Sequence, residues 1–184
     1  KIAVSENKVT AIAKSKNQKW SSKNSLSISF KIFINKNVST HLTTSGGNIV
    51  LTAVSGEQKI TTSGGNLVID NVKGKLKGVT SGGNIQVKNS DDKIELSTSG
   101  GNIEANSCTG NIKLSTSGGS INLVSLDGDI DAVTSGGNVK GNDIKGELDA
   151  HTSGGNINLS DLACSVNTGT SGGNVYVAIK EPGK

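Results

Sequence analysis

The sequence predicts an all-β chain, a single-stranded right-handed parallel β-helix (β-solenoid) with eighteen residues per coil. Three observations predict it. Thr-Ser-Gly-Gly recurs eight times at an unvarying eighteen-residue step, from Thr44, Thr62, Thr80 and Thr98 through Thr116, Thr134, Thr152 and Thr170, and Asn follows in every copy but one. Each repeat contains two short apolar-polar-apolar alternations, nine residues apart. Glycine falls at fixed places, twenty-one of the twenty-five lying in three columns of the alignment. A fixed short period marks an architecture in which one repeat buries its apolar face only against the repeats above and below it.

The first strand of each coil follows the glycine pair. Its leading residue is always aliphatic (Ile49, Leu67, Ile85, Ile103, Ile121, Val139, Ile157, Val175), and the residue two places on is apolar or small, which is the period of a half-buried strand. The second strand is carried by units such as Ile94-Glu95-Leu96, Ile112-Lys113-Leu114 and Ile130-Asp131-Ala132. Between the two runs a column of Val54, Val72, Cys108, Leu126, Ile144 and Leu162, read as an inward corner, with the small Ser of the pentapeptide filling the opposite corner. Gly56, Gly74, Gly110, Gly128 and Gly146 precede the second strand, where the backbone is expected to need positive φ or close approach.

The Asn column (Asn48, Asn66, Asn84, Asn102, Asn138, Asn156, Asn174) is a predicted structural ladder in which amides one coil apart bond in a row, broken once by Ser120. A left-handed hexapeptide helix shares the eighteen-residue coil but needs an inward residue every six places. Six on from Ile85, Ile103 and Ile121 stand Asp91, Thr109 and Asp127. A coil of two sides, or three flattened ones, fits instead. Right-handedness follows from the near-universal hand of strand-crossover-strand connections, and eight coils at the strand spacing give a rod of about 35 to 40 Å.

Residues 1–43 lack the motif and are assigned to an N-terminal cap and a degenerate first coil, residues 44–184 to the solenoid. Within the former, Leu26 to Ile34 alternates as one long strand and Lys14 to Ser25 reads as a polar loop. The far end looks uncovered, since Val175, Val177 and Ile179 start a coil that Pro182 stops. Exposed sheet ends recruit other chains, so end-to-end self-association is an expectation.

The formal charge of +4 divides unevenly: residues 1–43 hold eight Lys and one Glu, the remainder eleven Lys and fourteen acids. Without arginine, and with Tyr176 as the repeats' one aromatic platform, the chain lacks the usual means of nucleic-acid reading. No apolar run is long enough for a membrane span. Cys108 and Cys164 stand three coils and two residues apart, roughly 14 Å along the axis, too far for a disulfide. His41 and His151, six coils apart, cannot share one metal. The calcium-loaded nonapeptide roll is set aside because aliphatics stand where it needs Asp, and ice binding because the Thr column is a single row. No cofactor is expected.

The densest group of chemistry-bearing residues is acidic: Asp127, Asp129, Asp131, Glu147 and Asp149, on the second strand and corner of adjacent coils, with Asp143 and Asp161 nearby. Paired carboxylates serve glycoside hydrolysis and converging oxygens hold hard cations. Lys59, Lys75, Lys77 and Lys93 share the same outward columns, which is the pattern of a solvated face. The group is carried forward as a binding patch, and no catalytic residue is assigned.

The run Ile32-Phe33-Ile34-Asn35 leading through Leu42 into Thr44-Ser45-Gly46-Gly47-Asn48-Ile49, followed by repeated Ser-Gly-Gly-Asn-Ile units, resembles a bacterial adhesin-type family of β-strand repeat proteins, a domain of unknown function. The resemblance spans roughly residues 26–180. It implies an exported, periplasmic or cell-surface β-helix, non-enzymatic, that meets a glycan or protein of the envelope. A carbohydrate-acting β-helix enzyme using the acidic patch is the alternative.

Overall fold

The computed structural model describes residues 2–5, 8–12 and 36–180. The expected strand from Leu26 to Ile34 and the loop from Lys14 to Ser25 lie outside them. The described chain is all-β: β1 (Ile2–Ser5), β2 (Lys8–Ile12), β3 (Ser39–Thr44), β4 (Ile49–Thr52), β5 (Gln58–Thr62), β6 (Leu67–Asp70), β7 (Lys73–Val79), β8 (Ile85–Lys88), β9 (Asp91–Thr98), β10 (Ile103–Asn106), β11 (Thr109–Thr116), β12 (Ile121–Thr134), β13 (Val139–Thr152), β14 (Ile157–Thr170) and β15 (Val175–Ile179).

These strands stack in two parallel ladders that form a β-solenoid. The first runs β4, β6, β8, β10 and on through the leading halves of β12, β13 and β14 to β15. The second runs β2, β3, β5, β7, β9, β11 and through the trailing halves of β12, β13 and β14. From β3 onward the rungs join residues eighteen apart, as in Ile103↔Ile121 and Ile112↔Ile130, except at β15, where a register shift pairs Leu162 with Ile179, seventeen residues on. The repeat therefore stacks like on like. At the N-terminal end the pattern changes: β2 pairs with β3 in a register of Lys8↔Ser39, a longer step than a regular coil, and β1 lies antiparallel on β2.

The alternation read from the sequence places the core. Ile85, Val87, Ile94, Leu96, Ile103, Ile112, Leu114, Ile121 and Leu123 are all essentially sealed from solvent. Each contributes roughly 1.5 to 3 kcal/mol by burial. A Cβ placed on Gly78 would touch side chains of Leu67 on one ladder and of Ile60 and Leu96 on the other, so the ladders' inner faces meet. Gly78 itself provides the space these larger neighbours fill. One polar plug sits in the column: Gln58, in register with Leu76, is fully buried and donates to the Val38 carbonyl at 2.7 Å, while Thr40 donates to its Oε1.

The corners are built differently from expectation. The Ser of the pentapeptide is exposed, and the buried corner residue is the Thr before it. Strand alternation carries the inner face from Ile112 and Leu114 to Thr116 and turns the following Ser outward, and Thr brings a methyl group to the core and a hydroxyl to the backbone. Thr62 Oγ1 donates to the carbonyl of Gly47, one coil earlier, at 3.0 Å and accepts the N–H of Gly65 at 3.2 Å; the same pair of bonds recurs at Thr80, Thr98, Thr116, Thr134, Thr152 and Thr170. The hydroxyls of the Thr column are thus used internally.

The two glycines of the pair also do different things. A Cβ on the second, such as Gly101, would lie 2.0 Å from the Gly83 carbonyl oxygen, whereas one on the first, Gly100, would meet nothing closer than 3.7 Å. Positive φ is needed elsewhere, at Gly56, Gly74, Gly110, Gly128 and Gly146 as the spacing predicts, and also at a column with no glycine: Ala53, Asn71, Asn89, Ser107, Ser125, Asp143 and Asp161. Small polar side chains tolerate that conformation better than most. Next to it, the inward corner position is apolar except at Ser90, whose hydroxyl donates to the Lys88 carbonyl and accepts the Val72 N–H.

Candidate functional site

Two outward faces carry the exposed chemistry. On the second ladder, Asp129 and Asp131 project from β12, and Glu147 and Asp149 occupy the matching rungs of β13, so Asp129 pairs in register with Glu147 and Asp131 with Asp149. Alternation forces this: Ile130 and Leu148 point inward, hence their neighbours on both sides point out. Asp127 stands at the corner opposite Lys145. The structure does bring the five acids onto neighbouring coils.

Three of them are tied to other side chains, the first two along the axis and the third within its own strand. Asp131 accepts from Lys113 Nζ at 2.8 Å, Asp129 from Asn111 Nδ2 at 2.9 Å, and Asp149 from His151 Nε2 at 2.6 Å. The Asp131 carboxylate holds the exposed Lys113 ammonium's proton more firmly than usual, first by its hydrogen bond and then by its charge. Further toward the N-terminus, Lys75–Glu57, Lys73–Asp91 and Lys77–Glu95 repeat the arrangement. Apart from the Asp149–His151 pair within β13, the face is a set of exposed axial pairs between adjacent coils, and exposed pairs of this kind contribute little each. Among the described residues no three His, Cys, Asp or Glu side chains converge as a metal would require. Asp143 and Asp161 belong to the corner, accepting from Ser125 and Asn142.

The first ladder offers a different surface, which sequence reasoning missed. A shallow trough of about 350 Å³ runs across three coils and is lined by Asn66, Asn84, Asn102, Val68, Gln86 and Glu104. Its signal was the Asn column itself. The ladder is not amide to amide: each side-chain oxygen accepts the backbone N–H one coil on, as in Asn66 N to Asn48 Oδ1 and Asn102 N to Asn84 Oδ1, both 2.8 Å. Ser120 does not break the row, because its N–H reaches Asn102 Oδ1 and its Oγ accepts from Asn138 N at 3.1 Å. Because the oxygens are engaged, the exposed Asn side chains present their amide N–H donors outward. Gln86 and Glu104 continue the trough through their own bond of 3.1 Å.

The cysteines are free thiols. Burial pushes the Cys108 thiol up from its ordinary value, partly opposed by backbone hydrogen bonds, and desolvation raises the half-exposed Cys164. No described helix is long and apolar enough to cross a membrane. Comparison with family models, curated proteins and solved structures gives no match.

Proposed function

We propose that the chain is a non-enzymatic, envelope-associated β-solenoid, adhesive or structural, that holds a glycan or protein along its side faces. The supporting observation is the unbroken eighteen-residue register from β3 to the end of the second ladder. It repeats each outward position about every 4.8 Å, and at the Asn column the same side chain recurs in every coil but one, so a long partner meets a row of like donors. The trough of Asn donors suits extended, acceptor-rich partners such as glycans. The salt-bridged second face suits a charged protein surface.

The test is a glycan and extracellular-matrix array probed with the purified chain, alongside the variant Gln86→Ala/Glu104→Ala. The reading expects one ligand class to bind and the variant to weaken it at least tenfold. A wild-type glycan-cleaving activity that disappears in the triple variant Asp129→Asn/Asp131→Asn/Asp149→Asn would replace this reading with the carbohydrate-acting enzyme, for which the carboxylates on adjacent rungs are the favourable observation.

A further inference from the structure

Two rungs in the middle of the second ladder are opposite in charge and three coils apart. β7 turns Lys73, Lys75, Lys77 and Val79 away from the core, and the trailing half of β12 turns out Asp127, Asp129, Asp131 and Val133. The register carries each column from one rung to the other. Lys75 leads through Lys93 and Asn111 to Asp129, Lys77 through Glu95 and Lys113 to Asp131, and Val79 through Ser97 and Ser115 to Val133. Lys73 and Asp127 share the corner column of the same two rungs. Every outward position that is Lys on β7 is therefore Asp on β12, and the one that is Val on β7 is Val on β12.

The acidic rung is not neutralised within the chain. Lys113 reaches Asp131, but among the described residues no ammonium lies within ion-pair distance of Asp127 or Asp129. Val133 is 40% exposed, the one large apolar side chain so exposed on the described second ladder.

We propose that this face binds a second copy of the chain, face to face and antiparallel, about a two-fold axis lying in the interface along the strand direction, between β9 and β11. Such an axis reverses the rod and turns the face over while leaving each column opposite itself. The β7 rung of one copy then meets the β12 rung of the other. Lys73, Lys75 and Lys77 stand against the partner copy's Asp127, Asp129 and Asp131, Val79 stands against its Val133, and every contact forms twice. The neighbouring rungs agree, since Glu95 meets the partner copy's Lys113 and Lys59 meets its Asp149. One like pair remains, Glu57 with the partner copy's Glu147, and Glu57 already holds Lys75. The axial pairs within each copy persist, because an ammonium has three protons to donate and a carboxylate accepts more than one bond.

The charge pattern selects this axis. A two-fold contact brings a surface against itself, and a two-fold axis running along the rod would set the lysines of β7 against the same lysines. Six rungs and four outward columns cover roughly 600 to 800 Å² a side, near the lower end for a specific complex, so the dimer is reversible and sensitive to salt. The inference rests on the reading of the second face as one that suits a charged protein surface. The Asn trough lies on the other ladder and stays open in the dimer.

The experiment is mass measurement in solution, by light scattering and sedimentation, on the 184-residue chain at neutral pH. The expected result is a dimer of twice 18.7 kDa that does not grow further with concentration. Raising salt from about 20 to about 500 mM should weaken it at least tenfold, as screening shortens the reach of the facing charges. Lys75→Glu sets like charges against Asp129 at both contacts, and Asp129→Lys does so against Lys75, so each variant alone should weaken dimerisation at least tenfold. Mixed one to one, the two variants should pair with each other to within about threefold of the wild-type affinity, because both contacts are then opposite in charge. Lys75 and Asp129 are exposed, so the β-sheet circular dichroism should be unchanged. Lys140→Glu, at an exposed site on the first ladder, should leave the dimer intact. A monomer at all concentrations, open-ended growth, a dimer indifferent to both single variants, or a mixture no tighter than its parts would overturn the proposal. A chain that binds a glycan on the array yet stays monomeric would overturn it and leave the reading of the Asn trough standing.

Discussion

At the residue scale the sharpest contrast lies inside the glycine pair. Gly101 has the Gly83 carbonyl where a Cβ would go, and backbone cannot move aside within a stack, whereas Gly100 faces ordinary contact distances. Gly101→Ala should therefore cost about 3 kcal/mol or more, as overpacking against backbone does, and Gly100→Ala should stay within about 0.5 kcal/mol of wild type. Denaturant unfolding of both variants checks this. The neighbouring Thr gives a second test. Thr116→Val keeps the shape but removes the bonds to the Gly101 carbonyl and the Gly119 N–H, so a loss of about 1 to 3 kcal/mol is expected. The thiols give a third. Alkylation at pH 8 should reach Cys164 well before Cys108, because Cys108 is fully buried and Cys164 is not. Since burial raises the Cys108 pKa above 9.0, the folded state holds that proton more tightly than the unfolded chain. Its contribution is complete below about pH 9 and fades as the pH rises past it, so Cys108→Ala should flatten the alkaline fall in stability.

At the element scale the strands and their register were legible in the sequence because their cause is local and repeated. The alternation at Ile112-Lys113-Leu114 needs only period two and a fixed step to place it. The corners were harder to read. Ser and Thr stand side by side in every copy, and Thr turns inward because it continues the alternation of Ile112 and Leu114 to Thr116, a step beyond the apolar residues that mark the strand, where a hydrogen bond to the previous coil then holds it. The positive-φ column was hidden for a related reason: Asn, Ser, Asp and Ala share no single chemistry at Asn71, Ser107, Asp143 and Ala53, and only the turn unites them. The acidic patch was legible as a location, since alternation alone carries Asp129, Asp131, Glu147 and Asp149 outward. Its axial partners Lys113 and Asn111 follow once like stacks on like, and His151 meets Asp149 by alternation within β13. The Asn trough was passed over because a structural row drew attention from the surface it creates. In the core, Ile112→Ala should cost about 2 to 5 kcal/mol, a value read from the same unfolding curves.

At the scale of the whole molecule each regular coil contacts the coils next to it, through parallel rungs and the side-chain bonds stacked along them, which makes stability a sum of coil terms and coil-coil interfaces. A lone coil lacks those interfaces, and the stack is the folding unit. The charge pattern is read at this scale too, with lysines toward one end of the second ladder, acids toward the other and none in the final coil.

The central claim is that residues eighteen apart stack in register from one end of the rod to the other. Spin labels on the exposed serines of the pentapeptide, with Cys108 and Cys164 replaced by Ala, measure it directly through pairs Ser63/Ser135, Ser63/Ser153 and Ser63/Ser171. The account predicts narrow distance distributions that lengthen by about 5 Å for each added coil, from roughly 19 to roughly 29 Å across the three pairs. Distances that fail to rise in equal steps, or that spread broadly for the inner pairs, would contradict it.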